Sequence, residues 1–497
     1  MFNFGAKPNS KIAVVPPKIR LEKAAPAKKP QPLPSKIATR PAPRPHEPTR
    51  TSSSKIRTSP ATPDRLEPRK RKAVRQKSPA QQRIESDSDD DDTVGTPASF
   101  DEPSKRHKPS VDVDLKRELR YKQEAYKEHD GVFPIIHAAD IASTTRKSKK
   151  VTTIEEKNVT VELQYPGASQ RERYDLVFGR EQIDPAHEIY TIAKTVANVY
   201  MTEEEAVLFT DPNTGLIRKL ERAMNLLSRK NKDEELLDGF KTAVDNYNKA
   251  LKVLLNDGSL SKNLDKMHHL PFEMVRLILR QVYDRAVSPQ VDILKRTKDN
   301  KDNTYGELLA HFVTMIIEET QLKSDQVFVD LGSGVGNVVL QTALEVGCES
   351  WGCEMMPNAC DLADAQEKEF SARCRLWGIK PGKVRLERDD FTRNVAIHEA
   401  IKRADVILVN NEVFSQALNA NLVQLFLDVK DKCKIVSLKP LSADSKIKSR
   451  TFNDPSNLFE VVQKQYFEDF VSWKHEGGDY YISTKDDTRL QKFSHLG

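Results

Sequence analysis

Apolar positions change period along this chain. Over residues 183–287 they recur at helical spacing through 189–200, 216–227, 236–255 and 272–287, with Pro271 placed to open the last segment. From 327 onward they gather into short β-branched and aromatic runs separated by helices. Val327, Phe328 and Val329 form a strand that Asp330 ends. A turn with glycines at 332, 334 and 336 follows, then an apolar helix over 338–344 and a second strand over 350–353 that stops at Glu354. A charged helix over 359–377 leads to strands at 384–386, 404–409 and 434–438. The last pair, 468–473 with 480–484, is predicted as a hairpin turned at Gly477-Gly478.

Ahead of this sheet, 304–320 predicts a helix with Leu308, Leu309, Phe312, Met315 and Ile316 on one face. Residues 112–129 fit a charged helix, and 159–164 and 174–178 fit strands to which no chemistry attaches. The predicted fold class is α/β: a Rossmann-like sheet with an N-terminal helical lobe, preceded by a disordered basic arm. The predicted boundaries are an arm over 1–110, a linker over 111–182, the lobe over 183–300 and the sheet domain over 301–490.

Charge separates the arm from the rest. Residues 1–80 hold 20 Lys and Arg against 4 Asp and Glu, so within a total of +6 the remaining chain is net acidic. The chain has 28 prolines, and its arm, rich in Pro, Ser, Lys and Arg with few aromatics, cannot bury enough apolar surface to offset ordering. Basic clusters at 68–77 and 105–108 flank an acidic run at 85–92 that embeds Ser86 and Ser88. The clusters predict nuclear import and contact with DNA phosphates; a merely solvated tail is the plain alternative. The cysteines at 348, 353, 360, 374 and 433 form no C-x-x-C pair, and no zinc site or disulfide framework is expected. No apolar run reaches the roughly 18–20 residues of a membrane span, and a soluble intracellular protein is expected.

The candidate chemistry lies at the carboxyl ends of the strands, where open α/β sheets bind ligands. Strand, glycine turn, helix, strand and terminal acid make a nucleotide-binding βαβ half; a tight βα connection is the plain alternative. The turn reads G-x-G-x-G after Asp330, unlike the G-x-G-x-x-G of a pyrophosphate binder. That favours S-adenosylmethionine, which has no phosphate, over a nicotinamide dinucleotide. Glu354 stands where a carboxylate accepts ribose hydroxyls. Asp390 and Phe391 close the third strand as an adenine pocket would, or as an ordinary turn. Asn410 closes the fourth strand and is predicted to face the methyl donor's sulfonium. Tyr305, Gly306 and Glu307 stand where the chain crosses the cleft. The adjacent His268 and His269 read as surface residues, and no metal is expected.

Taken in order, TYGEL, VFVDLGSGVGNVVLQTALE, GCE, DDF, VNN, SLKPL and VSW…GGDYYIST resemble the non-SET histone-lysine methyltransferases of the disruptor of telomeric silencing family, in its fungal form. The resemblance spans about 183–484. It implies a class I methyltransferase fold and transfer of methyl from S-adenosylmethionine to the lysine at position seventy-nine of histone H3 in the nucleosome. It further implies a nuclear monomer, ubiquitylated histone H2B nearby, and roles in silencing, transcription and the DNA damage response. By the same resemblance, Tyr305, Gly306, Glu307 and Leu308 form a loop closing over the cofactor. Phe328, Val329, Asp330, Leu331, Gly332, Ser333, Gly334, Val335, Gly336 and Asn337 form its binding turn. Glu354 is the ribose acid, Asp390 and Phe391 are adenine contacts, and Asn410 and Tyr480 are walls of the lysine channel. The chain departs from the family at Glu412, where an aromatic is common, and at Asp389, where some relatives have Gly.

Rival chemistries want other residues. A DNA adenine methyltransferase would carry Asn/Asp-Pro-Pro-aromatic after the fourth strand, and a cytosine methyltransferase a Pro-Cys nucleophile. A small-molecule enzyme has no use for the basic arm. A non-catalytic chromatin module would have no use for the glycine turn with Glu354 and Asp390.

Overall fold

The computed structural model describes residues 113–120, 134–141, 160–167, 170–176, 183–229, 234–296, 306–441 and 455–489. The arm, its basic and acidic clusters and Tyr305 lie outside the described residues. Strands β1 (Thr160–Gln164) and β2 (Arg171–Asp175) pair antiparallel, Thr160 opposite Asp175. Then come α1 (Pro185–Tyr200), α2 (Glu203–Thr210), α3 (Leu216–Arg229), α4 (Glu234–Asn256), α5 (Ser259–Leu264) and α6 (Phe272–Ala286). The expected helical lobe is present, and its starts are capped as sequence chemistry dictates. Asp184 accepts the Ala186 and His187 N–H groups ahead of α1, and Thr202 and Glu205 form a reciprocal capping box on α2.

The sheet follows: α7 (Ala310–Thr320), β3 (Val327–Leu331), α8 (Asn337–Glu345), β4 (Glu349–Glu354), α9 (Pro357–Trp377), β5 (Val384–Arg388), α10 (Val395–Arg403), β6 (Val406–Val409), α11 (Gln416–Leu425), β7 (Lys434–Ser437), β8 (Phe459–Tyr466) and β9 (Gly478–Lys485). Seven strands stand in the order β5-β4-β3-β6-β7-β9-β8, parallel from β5 to β7 and antiparallel at β9 and β8. This is the Rossmann-like α/β sheet that the run of short apolar strands predicts. Alternation along β3 sends Phe328 to a core shared with α7 and α8, and Val329 and Leu331 to one shared with α10 and α11. Burial on both faces explains why these strands read as continuous apolar runs.

Three expectations are corrected. The hairpin partner of β9 is β8, not 468–473, and Gly478 begins β9 opposite Tyr466 rather than turning a hairpin. Residues 467–477 instead leave the sheet. Asp469 takes φ 56°. Phe470 accepts the Leu309 N–H at 2.9 Å, and Val471 bridges Leu308. Second, residues 113–120 form turns rather than the start of a helix. Third, β1 and β2 lie in the lobe's own core, with Leu163, Tyr165 and Tyr174 fully buried, and so are not part of a linker. Among the described residues no helix is long and apolar enough to cross a membrane.

The lobe is joined to the sheet through buried charge. Glu172 on β2 meets Arg285 on α6, Oε1 to Nη2 at 2.8 Å, and also the Arg373 guanidinium on α9. Arg373 further pairs with Glu369 at 2.6 Å, and Arg285 with Glu188 at 2.6 Å. Charges removed from water are tolerated only when paired and hydrogen-bonded. The Tyr165 and Tyr174 hydroxyls complete the shell around Glu172, at 2.7 and 3.0 Å.

Candidate active site

A cavity of about 530 Å³ opens at the carboxyl ends of β3, β4 and β6. Its floor is the turn after β3. Gly332, Gly334 and Gly336 have φ of 87°, 56° and 88°, a conformation that strains any residue with a β-carbon. The Gly332 and Ser333 N–H groups donate to the Cys353 carbonyl at 2.9 and 3.1 Å, tying the turn to the end of β4. Helix α8 begins directly after Gly336 with no side-chain cap.

The wall is acidic. Glu307, Asp330, Glu354, Asp390 and Glu412 all line the cavity, and among the described residues no Lys, Arg or His does. Glu354 accepts the Gly334 N–H at Oε2 (2.9 Å) and the Met356 N–H at Oε1 (2.7 Å). Burial raises its pKa above the ordinary carboxylate value, against the pull of those N–H groups. Burial and the nearby Glu354 charge push Asp330 up to about 8. The Asp390 carboxylate accepts the Thr392 N–H at 2.9 Å and its hydroxyl at 2.7 Å. Glu307 accepts the Tyr283 hydroxyl at 3.3 Å. A wall of this kind holds cations and repels phosphate.

The two asparagines after β6 divide the work. Asn411 is fully buried. Its Oδ1 accepts the Leu438 and Lys439 N–H groups at 3.0 and 2.9 Å, and its amide donates to the Asn419 Oδ1 and the Lys439 carbonyl. Asn410 lines the cavity, and its Oδ1 is buried with no hydrogen-bond partner. A buried acceptor left unpaired costs about 1–3 kcal/mol, which a ligand N–H would recover. Phe414 stacks near Phe391, ring centres 6.2 Å apart at 25°, and both line the cavity. The aromatic wall that Glu412 does not supply therefore comes from two residues later.

Two segments far apart in sequence close the cavity's side. Glu307 N–H donates to the Ser472 hydroxyl at 2.8 Å, and Ser472 N–H donates back to the Glu307 carbonyl at 2.9 Å. Gly306 faces the Trp473 ring so closely that a β-carbon there would stand 2.7 Å from it.

Of the residues singled out in the sequence, Gly306, Glu307, Leu308, Asp330, Gly332, Ser333, Gly334, Val335, Asn337, Glu354, Asp390, Phe391 and Asn410 line this cavity together. Phe328, Val329 and Leu331 lie beneath it in the core, and Gly336 starts α8. Tyr480 is not in the cavity wall: it is 1% exposed and packs edge-on against Phe312 at 5.3 Å. β9 is a buried interior strand of the sheet, which turns this ring into the core. Sequence reasoning did not assign Met355, Met356, Phe414 or Trp473, all in the wall. The W of VSW carried a signal for the last, but its place beside Gly306 depends on the 467–477 loop.

The family model for Histone methylation protein DOT1 matches residues 283–485. The chain is 47% identical to a Gibberella zeae protein over 97% of this chain and 99% of the relative. It is 49% identical to one from Chaetomium globosum over 77% and 74%. It is 47% identical to one from Emericella nidulans over 78% and 76%. Each of these relatives is named "Histone-lysine N-methyltransferase, H3 lysine-79 specific".

Proposed function

The chain belongs to the DOT1 family of histone methylation proteins, and from that premise we propose that it methylates lysine seventy-nine of histone H3 in the nucleosome with S-adenosylmethionine. The observation that carries this is the cavity wall: five acidic side chains, no basic side chain among the described residues, and an unpartnered Asn410 Oδ1. Sulfonium, α-amino and lysine ammonium groups are all cations, and the wall suits each. A dinucleotide's pyrophosphate would meet only like charge there.

Bound in this cleft, S-adenosylmethionine supplies an electrophilic methyl on a positively charged sulfur. Glu354 would accept from its ribose, Asp330 would face its amino end, and Asp390 with Phe391 and Phe414 would hold its adenine. Free lysine titrates near 10.4, so the substrate arrives charged. The sulfonium's own positive charge disfavours the ammonium beside it, and the neutral amine is the nucleophile. Asn410 Oδ1 accepts one amine N–H and so orients the lone pair, which contributes through positioning rather than covalent chemistry.

The enzyme works in the nucleus as a monomer. The arm's surplus of basic residues neutralises DNA phosphates and supplies salt-sensitive, sequence-indifferent affinity. The family resemblance adds ubiquitylated histone H2B as a neighbour. Methyl incorporation from labelled donor tests the reading, comparing nucleosomes, free histone H3 and naked DNA. Labelling of H3 in nucleosomes is expected. Labelled DNA, or no donor uptake by folded protein in equilibrium dialysis, overturns it.

A further inference from the structure

Four of the five cavity carboxylates are accounted for by the cofactor or by protein donors. Glu412 is not. It follows the two asparagines and stands at the cavity's rim, where its side chain is 38% exposed. Its nearest cation is Lys439, whose Nζ lies 3.9 Å from Oε1 and also donates to the Glu412 backbone carbonyl. The Lys439 side chain is half exposed, so this pair is weak and exchangeable. Lys474, beyond Trp473 in the 467–477 loop, lies close enough to feel the Glu412 charge. Glu412 thus stands on the cavity wall with Lys439 beside it and Lys474 within its field, and neither lysine is on the wall. Two residues inward along the chain is Asn410, with its unpaired acceptor.

We propose that Glu412 is the specificity residue that receives the substrate lysine as an ammonium, exchanging its contact with Lys439 for the incoming cation before the amine passes to Asn410. The inference rests on the functional reading above. It explains what an acid does at this position: the rim selects a cation, and the interior then selects its neutral form. Lys439 is the competitor that holds the carboxylate in place until substrate arrives. The ammonium gives up its proton to solvent at this exposed rim, and Glu412 itself forms no covalent bond.

The test uses the full chain and intact nucleosomes. Glu412→Gln keeps size and removes charge; the KM for nucleosomes should rise roughly fivefold, with kcat within twofold and donor affinity unchanged. Lys439→Met removes the competitor while leaving the backbone groups that Asn411 holds. It should lower KM about twofold, and Glu412→Gln should erase that gain in the double variant. A wild-type KM in Glu412→Gln overturns the proposal, as does a Lys439→Met effect that persists without the acid. Loss of donor binding in Glu412→Gln also overturns it, by moving the residue into the cofactor site. Wild-type protein that leaves nucleosomes unmethylated would instead sink the functional reading itself.

Discussion

The Gly334 N–H donates to the Glu354 carboxylate at 2.9 Å, so the turn after β3 and the acid that ends β4 are one unit before any ligand arrives. Because the second oxygen holds the Met356 N–H at 2.7 Å, the carboxylate is fixed in orientation. Glu354→Ala removes a ribose acceptor and frees two N–H groups together. Donor affinity should fall by about 2–3 kcal/mol, roughly 30- to 150-fold, in a calorimetric titration. Affinity within twofold of wild type would exclude Glu354 from the ribose site.

Asp330 gives donor binding a pH dependence. Burial, with the Glu354 charge added, raises it from 3.8 to about 8, so the free enzyme holds this proton at pH 7. A cation placed beside it favours the ionised form. Binding at pH 7 should therefore release a proton, and affinity should climb with pH and level off above about 8. Titrations in buffers of different ionisation heat measure the proton directly, and Asp330→Asn should abolish both effects. The same raised pKa predicts that the group's contribution to stability is whole below pH 4 and lost as pH rises through about 8.

Asn410 and Asn411 are neighbours with separable roles. Asn410→Ala should cut turnover about a hundredfold with donor affinity unchanged, because only the orientation of the amine is lost. Asn411→Ala strands the Leu438 and Lys439 N–H groups in a buried site. It should cost about 2–4 kcal/mol of stability, seen as a lowered Tm. Full turnover in Asn410→Ala would show that Oδ1 does not touch the substrate.

The arm is testable by deletion. Protein lacking residues 1–110 should bind nucleosomes more weakly and with a shallower salt slope, since each phosphate contact contributes about one counterion. Donor affinity should not change. An unaltered salt slope would leave the arm's basic clusters as an import signal alone.

The sheet was legible because β3, β6 and β7 are buried on both faces, so their apolar runs stand out whatever the tertiary context. That the turn and the strand-end acids gather on one cavity was legible for a related reason: turn, helix start and strand ends are fixed by local chemistry. What escaped was long-range. FEVVQKQY at β8 is an edge strand with one face in water, and its charges hide its period. The bridge of Leu308 to Val471 joins segments more than 160 residues apart, and no local pattern records it. Tyr480 shows the limit of motif transfer, since its motif gives a position in β9 and burial decides which way the ring packs.

The Glu172 cluster was invisible for the same reason, and it carries the last prediction. Glu172, Arg285 and Arg373 come from a strand, a lobe helix and a sheet helix, all fully buried. Burial alone would raise Glu172, but Arg285 and Arg373 overcome it and hold it at about 2. A carboxylate so depressed contributes stability that is present above its unfolded value of 4.5 and is lost as pH falls through about 2. Arg373→Met removes one cation and leaves Glu172 and Glu369 short of charge in the interior, which should cost about 3–5 kcal/mol. Trp377 donates to Gln281 at 2.9 Å across the same junction, so its fluorescence reports on it. Because the cluster joins lobe to sheet, fluorescence and far-UV circular dichroism should give one coincident unfolding transition in the wild type. Arg373→Met should bring the fluorescence transition to lower denaturant. A variant as stable as wild type would mean that the lobe and sheet are held by apolar packing alone.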